Sequence, residues 1–340
     1  MAAGGSGAID HPALVVVLAC GLDHLLGDPR AMLHPVQVMG WCIQRLRSLS
    51  EGWAADSPWK LRLSGGLISL LIVLGSAGVG WQLERWAHGR PVLGTVGLVV
   101  ALASALAGGS LERAVGEVLQ ALPDLGEARA RLAWIVGREV AGLPETEIVR
   151  AAAETTAENA VDGLFAPLFW IMVGVGLNAW QSGGPGPLAL AWAFKASSTL
   201  DSMLGYRQGR LRWLGTAGAR LDDVLTWIPA RLVALTLPLV SHRPWRCWPL
   251  FQRALREGAA DPSPNAGVSQ AAYAHAVGVR LGGKNRYASG WRFKPVLGSA
   301  FPLADRQAVE RMLRLTRQLE LLWLLVFVVI LAGWRALGGG

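Results

Sequence analysis

Charge is what this sequence has least of. Of its 340 residues, 32 are Lys or Arg and 24 are Asp or Glu, so 16% are charged. An ordinary soluble protein carries about 25%, which leaves this chain roughly 30 charged side chains short. A surface that faces water is hard to build from the remainder. Lysine is scarcest, at positions 60, 195, 284 and 294 only, so the net charge of +8 rests on arginine. Cysteine is limited to Cys20, Cys42 and Cys247 with no CxxC pair. That odd number argues against a disulfide framework or a zinc site and reads as small buried hydrophobes. Residues 1–10 have no Lys or Arg ahead of an apolar core, so no cleavable signal peptide is expected. No basic cluster is interleaved with stacking aromatics, so nucleic acid is not an expected partner.

What is present points to the bilayer. Hydrophobic residues make up 52% of the chain, with 42 Gly and 16 Trp, and tryptophan suits the headgroup level, where an amphipathic ring has one wet and one apolar side. The +8 excess suggests anionic partners such as headgroups or phosphates. The runs 63–83 and 91–111 are uncharged, and at 1.5 Å per residue each spans a hydrocarbon core of about 30 Å. Further transmembrane helices are expected near 163–180, 188–205 and 319–337, the first two separated by Gly and Pro at 183–187. Residues 12–26 and 224–240 are apolar but short or interrupted by Asp23, Pro229 and Arg231, and read as re-entrant or interfacial. The arginine-rich stretches 112–162 and 242–318 are placed in the cytoplasm by their positive charge. The fold expected is therefore all-α: a polytopic membrane protein of one integral domain, with cytoplasmic helical segments and re-entrant or interfacial helices.

The remaining charges concentrate in a few segments. At spacing four, Glu154, Glu158 and Asp162 are expected to share one helix face, where like charges repel and favour a cation. Thr155 and Asn159 beside them add neutral oxygens, a set that suits Mg²⁺; the alternatives are a solvated acidic face or pairing with Arg. Lys195 and Asp201 lie in an apolar helix with Ser198, and an ionisable residue there is a functional candidate. Lys195 can hold a phosphate or snorkel to the interface. Asp222 and Asp223 point about 100° apart on a helix, so one can bind metal while the other pairs with Arg220. Arg231, after Pro229, is a candidate anion partner or a member of a structural ion pair. Ser263 followed by Pro264 signals a helix start, expected to run to Gly282-Gly283, with free N–H groups for an anion near Asn265. Gly278 to Asn285 nearly matches a P-loop but lacks the Ser or Thr; Arg280, Lys284 and Arg286 around flexible Gly still suggest a phosphate loop. Near the N-terminus Asp28 lies in a Gly-Asp-Pro turn, and His34 is a candidate base or hydrogen-bond donor.

Together these segments resemble the CobD/CbiB family of cobalamin-biosynthesis membrane proteins, the adenosylcobinamide-phosphate synthases. The resemblance rests on Gly27-Asp28-Pro29 with His34-Pro35-Val36, the stretch Glu154 to Asn159 with Val161-Asp162-Gly163, and Lys195 with the run Ser198 to Tyr206. Ala219 to Asp223 with Ile228 to Arg231, and Ser263 to Gly267 with Gly278 to Gly283, complete it. These occur in family order over roughly residues 20–290. Asp261 stands where the family usually has His, and Thr226 where Asn is common. The resemblance implies ATP-dependent, Mg²⁺-requiring amide formation between adenosylcobyric acid, a corrinoid, and (R)-1-aminopropan-2-yl phosphate or aminopropanol. It implies Mg²⁺ on Glu154, Glu158, Asp162, Asp201 and Asp222, with His34, Glu158, Lys195 and Asp201 as catalytic candidates. Substrate and phosphate contacts fall to Asp28, Thr155, Asn159, Ser198, Arg220, Arg231, Ser263, Asn265, Arg280 and Lys284. The site is expected to face the cytoplasm from the inner membrane, with other cobalamin-assembly enzymes or a second copy of the chain as further partners. The rival is a non-catalytic membrane carrier or binding protein for an anionic substrate, with Lys195 and Asp201 as its pathway.

Overall fold

The computed structural model describes residues 12–27, 34–181, 183–241, 244–287 and 290–337. In chain order these form α1 (Pro12–Leu26), α2 (Pro35–Ala54), α3 (Pro58–His88), α4 (Pro91–Ala103), α5 (Gly108–Gln120), α6 (Leu125–Leu132) and α7 (Glu145–Asn159). A π-helical turn at Ala160–Phe165 leads into α8 (Ala166–Trp180). Then come α9 (Pro187–Leu204), α10 (Leu211–Leu214), α11 (Thr216–Val240), α12 (Cys247–Gly258) and α13 (Ala266–Val277). A hairpin of β1 (Leu281–Tyr287) and β2 (Gly290–Leu297) precedes α14 (Arg306–Ala336). The described chain is thus helical apart from one antiparallel hairpin, and it divides into two compact units.

The first unit comprises Met1–Ala107, Ala166–Leu225 and Leu324–Gly340. Its spine is α3, which starts at Ser57-Pro58 and ends at Gly89; Pro suits a first helical position because the missing N–H has no helical partner there. Gly80 lets α3 meet α9, since a Cβ would lie 2.9 Å from the Ala189 Cα. Small residues at such contacts allow backbones to approach where lipid offers no hydrophobic driving force. At the same contact Glu84, 3% exposed, accepts hydrogen bonds from the N–H groups of Gly186 at 2.9 Å and Leu188 at 2.6 Å, capping the start of α9.

The second unit comprises Gly108–Phe165 and Thr226–Trp323. Its centre is α7, buried without a break from Ile148 to Ala157. A helix hidden on every side normally contains no charge. Here the alanines at 151, 152, 153 and 157 admit close neighbours, and the two buried charges, Arg150 and Glu154, face each other one turn apart at 2.6 Å.

Among the described residues, four helices are long and apolar enough to cross a membrane: Pro58–His88, Glu145–Trp180, Thr216–Val240 and Arg306–Ala336, or five spans if α4 and α5 count as one broken crossing. Three expectations change. Residues 91–111 are not one helix, because α4 ends at Ala103 and α5 begins at Gly108. The segment 224–240, read as short, interrupted and re-entrant or interfacial, belongs to the 25-residue α11 despite Pro229 and Pro238 inside it; apolar helices tolerate proline where neighbouring groups satisfy the freed carbonyls. The helix at Ser263 does not reach Gly282-Gly283 but stops at Val277, with Gly278 left-handed at φ 79°, and 281–287 is a strand.

Candidate functional site

In the second unit, β1 packs against α7, and the contact is polar. Glu154, 2% exposed, accepts from Arg138, from Arg150 at 2.6 Å and from the Gly282 N–H at 2.8 Å. Arg150 also donates to Glu147, to the Gly282 carbonyl at 2.8 Å and to Asn285 Oδ1 at 2.9 Å, an oxygen shared with Arg138. Gly282 is required here. It sits at φ 83°, and a Cβ would collide with the Pro295 carbonyl across the bulged end of the hairpin. Two guanidiniums and one carboxylate thus lock the hairpin to the helix through charge-assisted bonds.

Above this lock opens a cleft of about 550 Å³ lined by Arg138, Arg150, Arg280, Lys284 and Arg286, against which stand Glu139 and Glu147. Gly282 and Gly283 form part of its wall, so backbone is exposed to whatever enters. Lys284 lies 4.0 Å from the centre of the Trp291 ring and Arg286 pairs with Glu139 at 2.7 Å. Positive charge on a concave surface with an aromatic ring suits an anion that also carries an apolar or aromatic part.

On the opposite face of the hairpin, Lys294 lies 3.9 Å from Glu158. Burial pulls its ammonium down, but Glu158, Asp261 and Glu154 outweigh this and raise its pKa above the ordinary lysine value. Gln270 on α13 donates to Glu158 at 3.0 Å. Asp261 accepts the Ser263 N–H at 2.9 Å and thereby fixes the turn into α13.

The first unit holds a separate group of carboxylates. Asp222, early in α11, lies within electrostatic reach of Asp201 and Asp223, and Asp223 within reach of Arg207 and Arg220. One oxygen of Asp222 is buried and meets no hydrogen-bond partner among the described residues. Among those residues no three His, Cys, Asp or Glu side chains are placed to share one ion. Two carboxylates nevertheless fit Mg²⁺, which takes one or two from protein and fills its octahedron with water and substrate phosphate. The unpartnered Asp222 oxygen is the kind of donor such an ion uses.

The sequence comparisons agree on one family. The family model described as CobD/Cbib protein matches residues 16–316. The chain belongs to the CobD/CbiB family. Among its relatives, the cobalamin biosynthesis protein CobD of Synechocystis sp. is 39% identical over 331 residues, covering 96% of this chain and 94% of that protein. CobD of Pelobacter propionicus is 40% identical over 314 residues, covering 88% and 90%. CbiB of Salmonella choleraesuis is 36% identical over 327 residues, covering 94% and 98%. No solved structure matches the chain significantly.

Against this family background, the residues singled out from sequence are placed as follows. Glu154 is committed to Arg138, Arg150 and Gly282, the Arg-paired alternative to a metal ligand. Glu158, Thr155 and Asn159 share α7 with it, Thr155 buried and Asn159 half-buried. Asp162 falls in the π-helical turn that follows α7. His34 caps α2: its Nδ1 accepts the Val36 N–H at 3.3 Å, and its backbone N–H donates to Gln37 at 3.4 Å. Lys195 and Ser198 are half-buried in α9, and Asp201 lies one turn before its end. Arg220 is exposed beside Asp223. Arg231 ties α11 to the loop before α13, donating to Asn265 Oδ1 at 3.0 Å and to the Pro264 carbonyl at 3.3 Å while stacking on Trp227. Ser263 Oγ accepts the Ala266 N–H at 3.2 Å, and α13 begins at Ala266, two residues later than expected. Arg280 and Lys284 line the cleft. Asp28 lies outside the described residues. Sequence reasoning missed Arg138, Arg150, Gln270 and Lys294; only Arg150 left a signal, four residues before Glu154 on the same helix.

Proposed function

We propose that this CobD/CbiB family member is an ATP-dependent amide ligase of cobalamin biosynthesis, joining adenosylcobyric acid to (R)-1-aminopropan-2-yl phosphate, or aminopropanol, to give adenosylcobinamide phosphate. The observation that carries this reading is the basic cleft of the second unit, because every reactant except free aminopropanol carries an anionic group and two carry phosphate. A carboxylate is a poor electrophile, so its oxygen must first attack the γ-phosphate of ATP, releasing ADP and leaving a mixed anhydride. Such transfer needs positioning and charge neutralisation more than covalent help from protein. Arg280, Lys284 and Arg286 supply positive charge for phosphates, and Trp291 a ring face for an adenine or corrin edge. Arg138 and Arg150 stay fixed by Glu154 and Glu147, so the cleft wall is preorganised.

Asp201 and Asp222 would hold Mg²⁺, which supplies charge neutralisation for phosphate oxygens. Lys195, half-buried on the same helix as Asp201, remains a candidate point charge for phosphate. The relatives' names support the cobalamin setting. On this reading the arginine-rich cleft of the second unit opens on the cytoplasmic side of the inner membrane, where ATP is available. The test is purified protein in detergent given adenosylcobyric acid, the aminopropanol phosphate, ATP and Mg²⁺. The amide product should form with one ADP per bond; a carrier would bind the corrinoid without substrate-dependent ADP.

A further inference from the structure

The cluster behind the hairpin, Glu158, Asp261, Gln270 and Lys294, contains more acceptors than the protein fills. Gln270 is fully buried; its amide N–H donates to Glu158, while its Oε1 meets no partner among the described residues. Asp261 is in the same condition: Oδ1 takes the Ser263 N–H and Oδ2 is buried without a partner among those residues. At 3.9 Å the Lys294 ammonium is beyond hydrogen-bonding distance from Glu158, so that carboxylate also has lone pairs to spare. Glu154 is already neutralised by Arg138 and Arg150. The cluster itself therefore carries two carboxylates against one ammonium. A buried carbonyl and a buried carboxylate oxygen left without donors mark a place where a donor belongs.

We infer that this cluster is the subsite for the ammonium end of a small primary amine, with Glu158 as the group that takes its proton. A primary ammonium brings three N–H donors and the one positive charge the cluster lacks. An anion would find only Lys294 there, and a divalent metal ion would bring two positive charges where the cluster, with the Lys294 ammonium 3.9 Å from Glu158, lacks one. The Glu158 side chain is 40% exposed, so the site is open to substrate.

The proton-transfer half rests on the ligase reading. The amine enters as an ammonium and Glu158 accepts one proton, freeing the nitrogen lone pair. That pair attacks the acyl carbon of the mixed anhydride; the C–N bond forms, the C–O bond to phosphate breaks, and phosphate leaves with the bonding electrons. The second N–H proton leaves on the phosphate as hydrogen phosphate, and Glu158 returns its proton to water.

Calorimetric titration of the purified full-length protein with 1-aminopropan-2-ol, without ATP, tests the binding half, with propane-1,2-diol as the probe lacking nitrogen. The amine should bind and the diol should not, and Asp261→Asn and Glu158→Gln should each weaken amine binding at least tenfold while ATP binding changes less than twofold. In turnover, Asp261→Asn should raise the amine KM, and Glu158→Gln should lower kcat while ADP still forms from ATP and the corrinoid alone. Equal binding of amine and diol, or unchanged amine affinity in both variants, would overturn the subsite. If the variants weaken amine binding but wild-type protein never forms ADP with the corrinoid, the ligase reading falls and the amine subsite stands.

Discussion

Replacing Glu154 by Gln separates two readings of the acidic segment in α7. The substitution keeps the shape and one carbonyl acceptor but removes the charge that Arg138 and Arg150 share. Arg150 retains Glu147 as a charged partner, whereas Arg138 is left with the neutral Asn285 oxygen. With side chains 8% and 5% exposed, these guanidiniums cannot recover hydration without opening the hairpin. Removing one partner of a buried ion pair costs about 3–5 kcal/mol. At roughly 2–4 °C per kcal/mol for a unit of 150–250 residues, this corresponds to a fall in Tm of roughly 6–20 °C. Thermal unfolding in detergent measures it, and adding Arg138→Met to Glu154→Gln should restore part of the loss, since the two sites are coupled. A metal ligand behaves in the opposite way. A loss below about 1 kcal/mol, accompanied by loss of Mg²⁺-dependent stabilisation, would refute the anchoring role.

Other outcomes follow from single contacts. Gly282→Ala should loosen the hairpin, because the left-handed φ and the Pro295 carbonyl both oppose a Cβ; faster proteolysis within 281–297 is the readout. Lys284→Ala or Arg280→Ala should raise the KM for ATP by about tenfold, near 1.4 kcal/mol, with stability unchanged because both side chains are exposed. Asp222→Asn should raise the Mg²⁺ concentration for half-maximal activity by roughly tenfold, also near 1.4 kcal/mol, without a comparable change in KM for the amine. At alkaline pH stability should decline. Burial raises the Tyr273 pKa, and the carboxylates around Lys294 raise that of its ammonium, so the folded chain keeps protons that the unfolded chain loses. The stabilisation is complete below about pH 10 and is lost as pH climbs through the folded values. Lys294→Met should flatten that decline in unfolding midpoints over roughly pH 9 to 12, and stability that rises with pH would contradict the assignment.

The apolar architecture was legible because an uncharged run of about 20 residues matches the thickness of the hydrocarbon core and exceeds what an ordinary buried helix needs. The run 63–83 became the middle of α3, and the helix start signalled by Ser263-Pro264 corresponds to α13, which begins at Ala266. The second unit was harder to read. Its hairpin hides in a glycine-rich stretch where Gly282-Gly283 resembles a helix end, although the alternation of Trp291, Phe293 and Pro295 with Arg292 and Lys294 is a strand signal. Asp162 lies in a π-helical turn, and nothing in Ala160-Val161-Asp162-Gly163 announces such a turn. Pro229 suggested a break in α11 that tertiary packing did not require. Arg138 and Lys294 lie far from Glu154 and Glu158 in sequence, so their pairing with those carboxylates depends on the folded chain.

The central claim is that a carboxylate is activated by phosphoryl transfer before the amine attacks. Adenosylcobyric acid labelled with ¹⁸O in the reacting carboxylate tests it directly, by mass spectrometry of the inorganic phosphate released in a single turnover with ATP and the aminopropanol phosphate. One ¹⁸O atom should appear in each phosphate. Unlabelled phosphate, or label appearing in AMP, would contradict the mechanism.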